Sequence, residues 1–208
     1  MKNGLVNTLN RQDASDALVD LGETLLDSQF DDGLLKDIPI LGTLIKLKDF
    51  GLSISDYMLV KKLQKFVFAL NQVPEDERDM FFIKLESDYT YKSKVNDNLV
   101  LLINASDDID KPEMLGKVFS KYVIGCLDYE QFMQFSTSIN GLNANQFKLL
   151  KQQENALTSK EVGHILASYG FVNIVIPTAY GSSVPDYYLN EDGVEFLKVL
   201  FGKEIAVE

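Results

Sequence analysis

Apolar positions recur at helical spacing through most of the chain. Ala14, Leu18, Leu21 and Leu25 follow one another at intervals of four, three and four, with acids on the opposite side, which predicts an amphipathic helix over 11–28. Asp31-Asp32-Gly33 breaks the pattern. Asp37 and Pro39 then open a second helix running through Lys48, apolar on nearly every side through Ile38, Ile40, Leu41, Leu44, Ile45 and Leu47. From Ser53 to Leu70 the face Leu59, Leu63, Phe66, Leu70 points to a core. A further helix starts after Val73-Pro74, where Glu75, Asp76 and Glu77 complement the positive end of the helix dipole, and it buries Phe81, Phe82 and Leu85. Ser93 to Ala105 follows, around the run Leu99–Ile103.

Three capping-box spacings come next: Asp110 with Glu113, Asp128 with Gln131, and Asn143 with Gln146. Each opens a helix, whose apolar positions are Met114/Val118/Tyr122, Phe132/Phe135/Ile139 and Phe147/Leu150. Up to Glu154 the pattern therefore predicts a multi-helix bundle. After Asn155 the periodicity changes. Thr158-Ser159-Lys160-Glu161 reads as a capping box for a helix carrying Val162, Ile165, Leu166 and Tyr169, stopped at Gly170. Phe171–Pro177 and Tyr187–Leu189 are β-rich, with Gly181-Ser182-Ser183 between them, and Asn190 caps a last helix to Phe201. The expected fold is mainly α, a helical bundle over 1–154 followed by a small winged-helix-like α+β unit over 155–208.

The pattern Tyr187-Tyr188-Leu189-Asn190-Glu191-Asp192-Gly193-Val194-Glu195-Phe196 is similar to the strand-then-helix ending of bacterial winged-helix domains. That resemblance implies a wing around Tyr180 to Pro185 and a recognition helix at Thr158–Tyr169, and with them contact to a DNA major groove. More loosely, the apolar, Gly-containing stretch Ile38-Pro39-Ile40-Leu41-Gly42-Thr43-Leu44-Ile45 joined to such an end resembles small bacterial proteins found near phage-defence and toxin loci. That second resemblance implies a context and assigns no residue a role.

Charge redirects the winged-helix expectation. The 208 residues carry 20 Lys+Arg and 31 Asp+Glu, a net charge of −11. Residues 161–208 hold only Lys198 and Lys203 against seven acids, and Val162 to Pro185 contains no Asp, Glu, Lys or Arg. Gripping a phosphate backbone takes clustered cations. Nucleic acid is therefore a poor partner, and a winged helix that binds protein fits better.

Five lysines, Lys46, Lys48, Lys61, Lys62 and Lys65, form the one locally basic stretch. Beside the apolar 38–47 it suits an anionic bilayer, which makes a membrane-perturbing effector using 38–70 the rival reading. The preferred reading is a core helix with a solvated lysine edge. Charges interrupt the apolar stretch too often for a membrane span, and the first residues lack the apolar core of a signal peptide, so a cytoplasmic location is expected.

Little points to catalysis. One Cys and one His cannot assemble a zinc site or a redox pair, and no cofactor is expected. Cys126 reads as a buried small hydrophobe. Asp107, Asp108, Asp110 and Glu113 suggest a calcium loop, but counting from Asp108 puts Glu113 and Phe119 where an EF-hand needs Gly and Glu. His164 sits near Glu161 with no nucleophile in its pattern and reads as a core-edge side chain. Phosphate-loop and nucleophile-elbow motifs are absent. The expectation is a non-enzymatic protein acting through a protein partner or self-association, with a winged-helix transcription regulator as a further alternative.

Overall fold

The computed structural model describes residues 54–70, 73–177 and 184–206. The helices expected at 11–28 and 37–48, with Lys46 and Lys48, lie outside the described residues, as do positions 178–183 of the expected wing. The described part is mainly helical, eight helices and one two-stranded antiparallel sheet, in two compact units that divide between Cys126 and Leu127. The change of sequence character at Asn155 thus falls inside the second unit, which also takes in the two helices that open at Asp128 and Asn143.

The first unit contains α1 (Ile54–Leu70), α2 (Glu75–Glu86), α3 (Tyr89–Ala105) and α4 (Lys111–Val123). Its most extensive helix pair is α1 with α4. They approach closely because Gly116 lacks a side chain: a Cβ there would lie 2.5 Å from the Phe66 carbonyl oxygen and 2.7 Å from Ala69 Cβ. Leu63, Phe66, Val67 and Leu70 of α1 and Leu115, Val118 and Phe119 of α4 are all buried, and the Phe66 and Phe119 rings lie 5.6 Å apart. Phe81 of α2 sets its ring edge-on to Phe119 and Tyr122, at 5.9 and 5.1 Å between centroids. Such geometry suits the ring quadrupoles.

Three local expectations are corrected here. The helix expected at Ser93 begins at Tyr89, because Asp88 caps it, its carboxylate accepting from the Tyr91 N–H at 3.0 Å. The Asp110–Glu113 box does not form. The Asp110 backbone is helical (φ −90°, ψ −19°) where a cap residue is usually extended, and its carboxylate pairs with Lys65 instead. Cys126 is exposed, not buried. It follows Gly125 (φ 74°) in the turn that ends α4, where the Gly125 and Cys126 N–H groups return to the Tyr122 and Lys121 carbonyls. That pairing fixes the position outside the helix, and the apolar residue the core takes is Leu127.

The second unit contains α5 (Tyr129–Gly141), α6 (Ala144–Lys151), α7 (Lys160–Ala167), β1 (Val172–Val175), β2 (Asp186–Leu189) and α8 (Glu191–Phe201). Both remaining capping boxes are present, Asp128 with Gln131 and Asn143 with Gln146. The core is built on three phenylalanines: Phe171 stacks on Phe196 at 4.5 Å, and Phe135 is edge-on to both. Gly193 lets α8 seat against the Phe171 carbonyl, and Gly202 (φ 65°) ends that helix in the left-handed conformation. At α7 the cap is Ser159, whose hydroxyl oxygen accepts from the Val162 N–H, and not Thr158. Thr158 is drawn to β2, donating to the Tyr187 carbonyl from its N–H at 2.9 Å and its hydroxyl at 3.2 Å.

Candidate functional site

The basic edge of α1 is engaged in holding its own unit. Lys62 Nζ donates to the Asn104 carbonyl at 3.1 Å, where the negative end of α3 favours a cation. Lys65 pairs with Asp110. Lys61 is exposed on the same helix. Next to them Lys111, its side chain 4% exposed, pairs with Asp107 at 2.5 Å. Hydrogen bonding and charge from that ammonium hold the Asp107 carboxyl below its ordinary range. Three of the four acids in the calcium-like stretch are thus spent on lysines: Asp107, Asp110, and Glu113, which pairs with Lys117 at 3.2 Å. Among the described residues no group of His, Cys, Asp and Glu gathers to hold a metal ion, and no helix is long and apolar enough to cross a membrane.

On α7 and its C-cap the exposed side chains are Lys160, Glu161, His164 and Ser168. One cation and one anion share that face, and α8 adds Glu191 and Asp192 in its first turn. The His164 ring meets the Tyr187 ring edge-on at 5.1 Å, which makes it an exposed flank of the core. A phosphate backbone finds little here to attract it.

The hairpin is different in kind. β1 and β2 pair in the register Val172↔Leu189, Asn173↔Tyr188, Ile174↔Tyr187 and Val175↔Asp186. Tyr187 and Leu189 turn inward and are buried; a Cβ on Gly163 of α7 would collide with the Tyr187 ring. Leu157 bridges to Tyr188 on the other side of β2, so among the described residues β2 is central and β1 lies at the edge. Ile174, Val175 and Ile176 are 54%, 48% and 68% exposed, and Leu157, Val184 and Tyr188 are exposed as well. A contiguous exposed apolar set marks an interaction site more readily than singly scattered apolar residues do.

Backbone directions at the edge follow from the bonds β2 makes on its far side. The Tyr187 carbonyl accepts from the Thr158 N–H, and the Leu189 N–H donates to the Ala156 carbonyl at 2.8 Å. Residues 187 and 189 therefore face away from β1, and alternation turns Tyr188, with its partner Asn173, into the ladder. The Asn190 N–H to Phe171 carbonyl bond at 3.1 Å has the same parity. Val172 and Ile174 consequently aim their N–H and C=O groups outward from the sheet. Sequence reasoning places a strand here without seeing an exposed surface. The signal available to it is the charge-free run from Val162 to Pro185 around consecutive β-branched residues.

No protein-family model, curated protein or solved structure matches this chain.

Proposed function

We propose that this protein is a non-enzymatic interaction or regulatory protein whose contact surface is the hairpin of its C-terminal unit. The observation that carries the reading is the exposed, uncharged set Ile174, Val175 and Ile176 at a sheet edge, in a chain of net charge −11. An apolar edge strand invites pairing, and soluble proteins commonly protect one with charge or proline. Here the first such residue after β1 is Pro177. The helix–hairpin–helix order of α7, β1, β2 and α8 supports a winged-helix-like unit that faces protein and not duplex. The mixed charge of α7 and the acidic first turn of α8 weigh the same way.

The test is site-specific photocrosslinking of the full chain in the cells that make it. A crosslinker at Val175 should give a discrete adduct that disappears when Ile176→Lys is added. One at Lys148, exposed on α6, should give none. Equal adducts at both positions, or none at Val175, would overturn the reading.

A further inference from the structure

Resting on that contact surface, we infer that the partner of β1 is β1 of a second copy, the two strands pairing antiparallel about a two-fold axis at Ile174. The outward-facing backbone groups belong to Val172 and Ile174, and among the described residues no turn, loop or side-chain hydrogen bond engages them. An antiparallel two-fold through Ile174 matches Ile174 with itself as a hydrogen-bonded pair and sets Val172 opposite Ile176 of the second copy. On the face carrying Val172, Ile174 and Ile176 every side chain so aligned is β-branched and apolar, and on the other face Asn173 stands opposite Val175. Such cross-strand pairs stabilise a ladder.

Charge selects a second copy over an unrelated acidic or basic protein. Two chains of −11 each repel over most of their surface. From Val162 to Pro185 there is no charged side chain, so this strand is where two copies approach without that repulsion. Nothing basic or acidic on the edge is left for a charged partner to match. The outward-facing groups run no further than Ile176, since Pro177 follows and by alternation lies on the β2 side. Pairing is thus confined to about five residues, well below the about 1,000 Å² of a stable specific interface, so a weak dimer, micromolar at tightest, is expected.

Sedimentation of the full chain across about 1–300 µM reads this directly. The weight-average mass should climb toward that of a dimer, and Ile174→Lys should raise the dissociation constant by about tenfold or more. Because Ile174→Lys alters a side chain on the inward face, Ile176→Pro is the second variant. It removes one edge N–H, leaves the β1–β2 ladder untouched, and should weaken the dimer to a similar degree. Hydrogen exchange supplies the residue-level reading: the Ile174 amide slows with rising protein concentration, whereas the Asn173 amide, already in the ladder, does not change. A chain that stays monomeric to the top concentration, or a dimer indifferent to both variants, overturns the self-pairing. Discrete Val175 adducts of other than twice the chain mass would then leave the contact surface standing with a different partner.

Discussion

Gly116→Ala is the sharpest test of how the first unit is put together. In an unconstrained helix the substitution stabilises by roughly 0.5–1 kcal/mol, because glycine loses more backbone freedom on folding. At this position the added methyl would stand 2.5 Å from the Phe66 carbonyl oxygen and 2.7 Å from Ala69 Cβ. Neither obstacle is the far end of a flexible side chain, so relief requires α1 and α4 to part by something approaching 1 Å. A gap of about 0.5–1 Å forfeits about a quarter to a half of the dispersion contact across it. The layer affected holds Leu63, Phe66, Val67, Leu115 and Phe119, all buried. Overpacking of this kind costs about 1–3 kcal/mol, which leaves a net loss of about 1–2 kcal/mol after the propensity gain. For a chain of this size that lowers the unfolding midpoint by about 2–8 °C.

Thermal unfolding followed by far-ultraviolet circular dichroism gives the midpoint. Hydrogen exchange at α1 and α4 amides shows whether the loss lies between those helices. Gly141→Ala is the control: it also adds a methyl near the end of a helix, but the obstacle is the hydroxyl end of Tyr169, which can swing aside, so it should be neutral or stabilising. A Gly116→Ala protein as stable as the parent, with unchanged protection in α1 and α4, would refute the close crossing.

Four further outcomes are expected. Asp128→Ala should cost about 1 kcal/mol by removing a cap that accepts from Gln131, independent of salt. Asp110→Ala should cost at most about 0.5 kcal/mol, and that loss should vanish in about 1 M salt, since only an exposed ion pair with Lys65 is removed; urea unfolding at two salt concentrations separates them. Asp107 is held below its ordinary 3.8 in the folded chain, so its stabilising contribution is present above about pH 4 and is lost as pH falls through the lowered value. Asp107→Asn should therefore reduce stability at pH 7 and flatten the acid limb of urea midpoints taken between about pH 5 and 2; an unchanged acid limb contradicts the pairing with Lys111. Cys126 in the native protein should react with a thiol reagent at a rate close to that of the denatured chain; strong native protection would mean the turn after α4 is folded otherwise.

How much of this was legible in the sequence depended on whether the deciding partner was local. Asp128–Gln131 and Asn143–Gln146 are boxes because each side chain finds its backbone partner within three residues, and both formed. Asp110–Glu113 has the same spacing, yet Lys65, distant in sequence, takes the carboxylate. Thr158 heads a better-looking box than Ser159, but β2 needs a donor for the Tyr187 carbonyl and takes Thr158 for it. Cys126 was misread from residue type alone, although Gly125 beside it marks a helix stop. In each failure a tertiary contact or a positive φ outweighed the local pattern.

The same distinction separates the two candidate surfaces. The lysines of α1 stand out in sequence because an acidic chain makes any cluster of cations conspicuous. The fold then turns Lys62 to a helix end and Lys65 to Asp110, giving both an internal use. The hairpin does the opposite: Ile174, Val175 and Ile176 look like core material in sequence, and the fold turns them toward water. A buried strand and an exposed edge strand share one composition. What tells them apart is how many neighbours a strand has, and among the described residues β1 has one. A charge-free β-branched run ending at a proline, in an otherwise strongly acidic chain, is the trace such an edge leaves in sequence. The cost of leaving it open is a liability to pairing, and that liability becomes a function if the pairing has a specified register. Ile174 as the centre of its own two-fold supplies one.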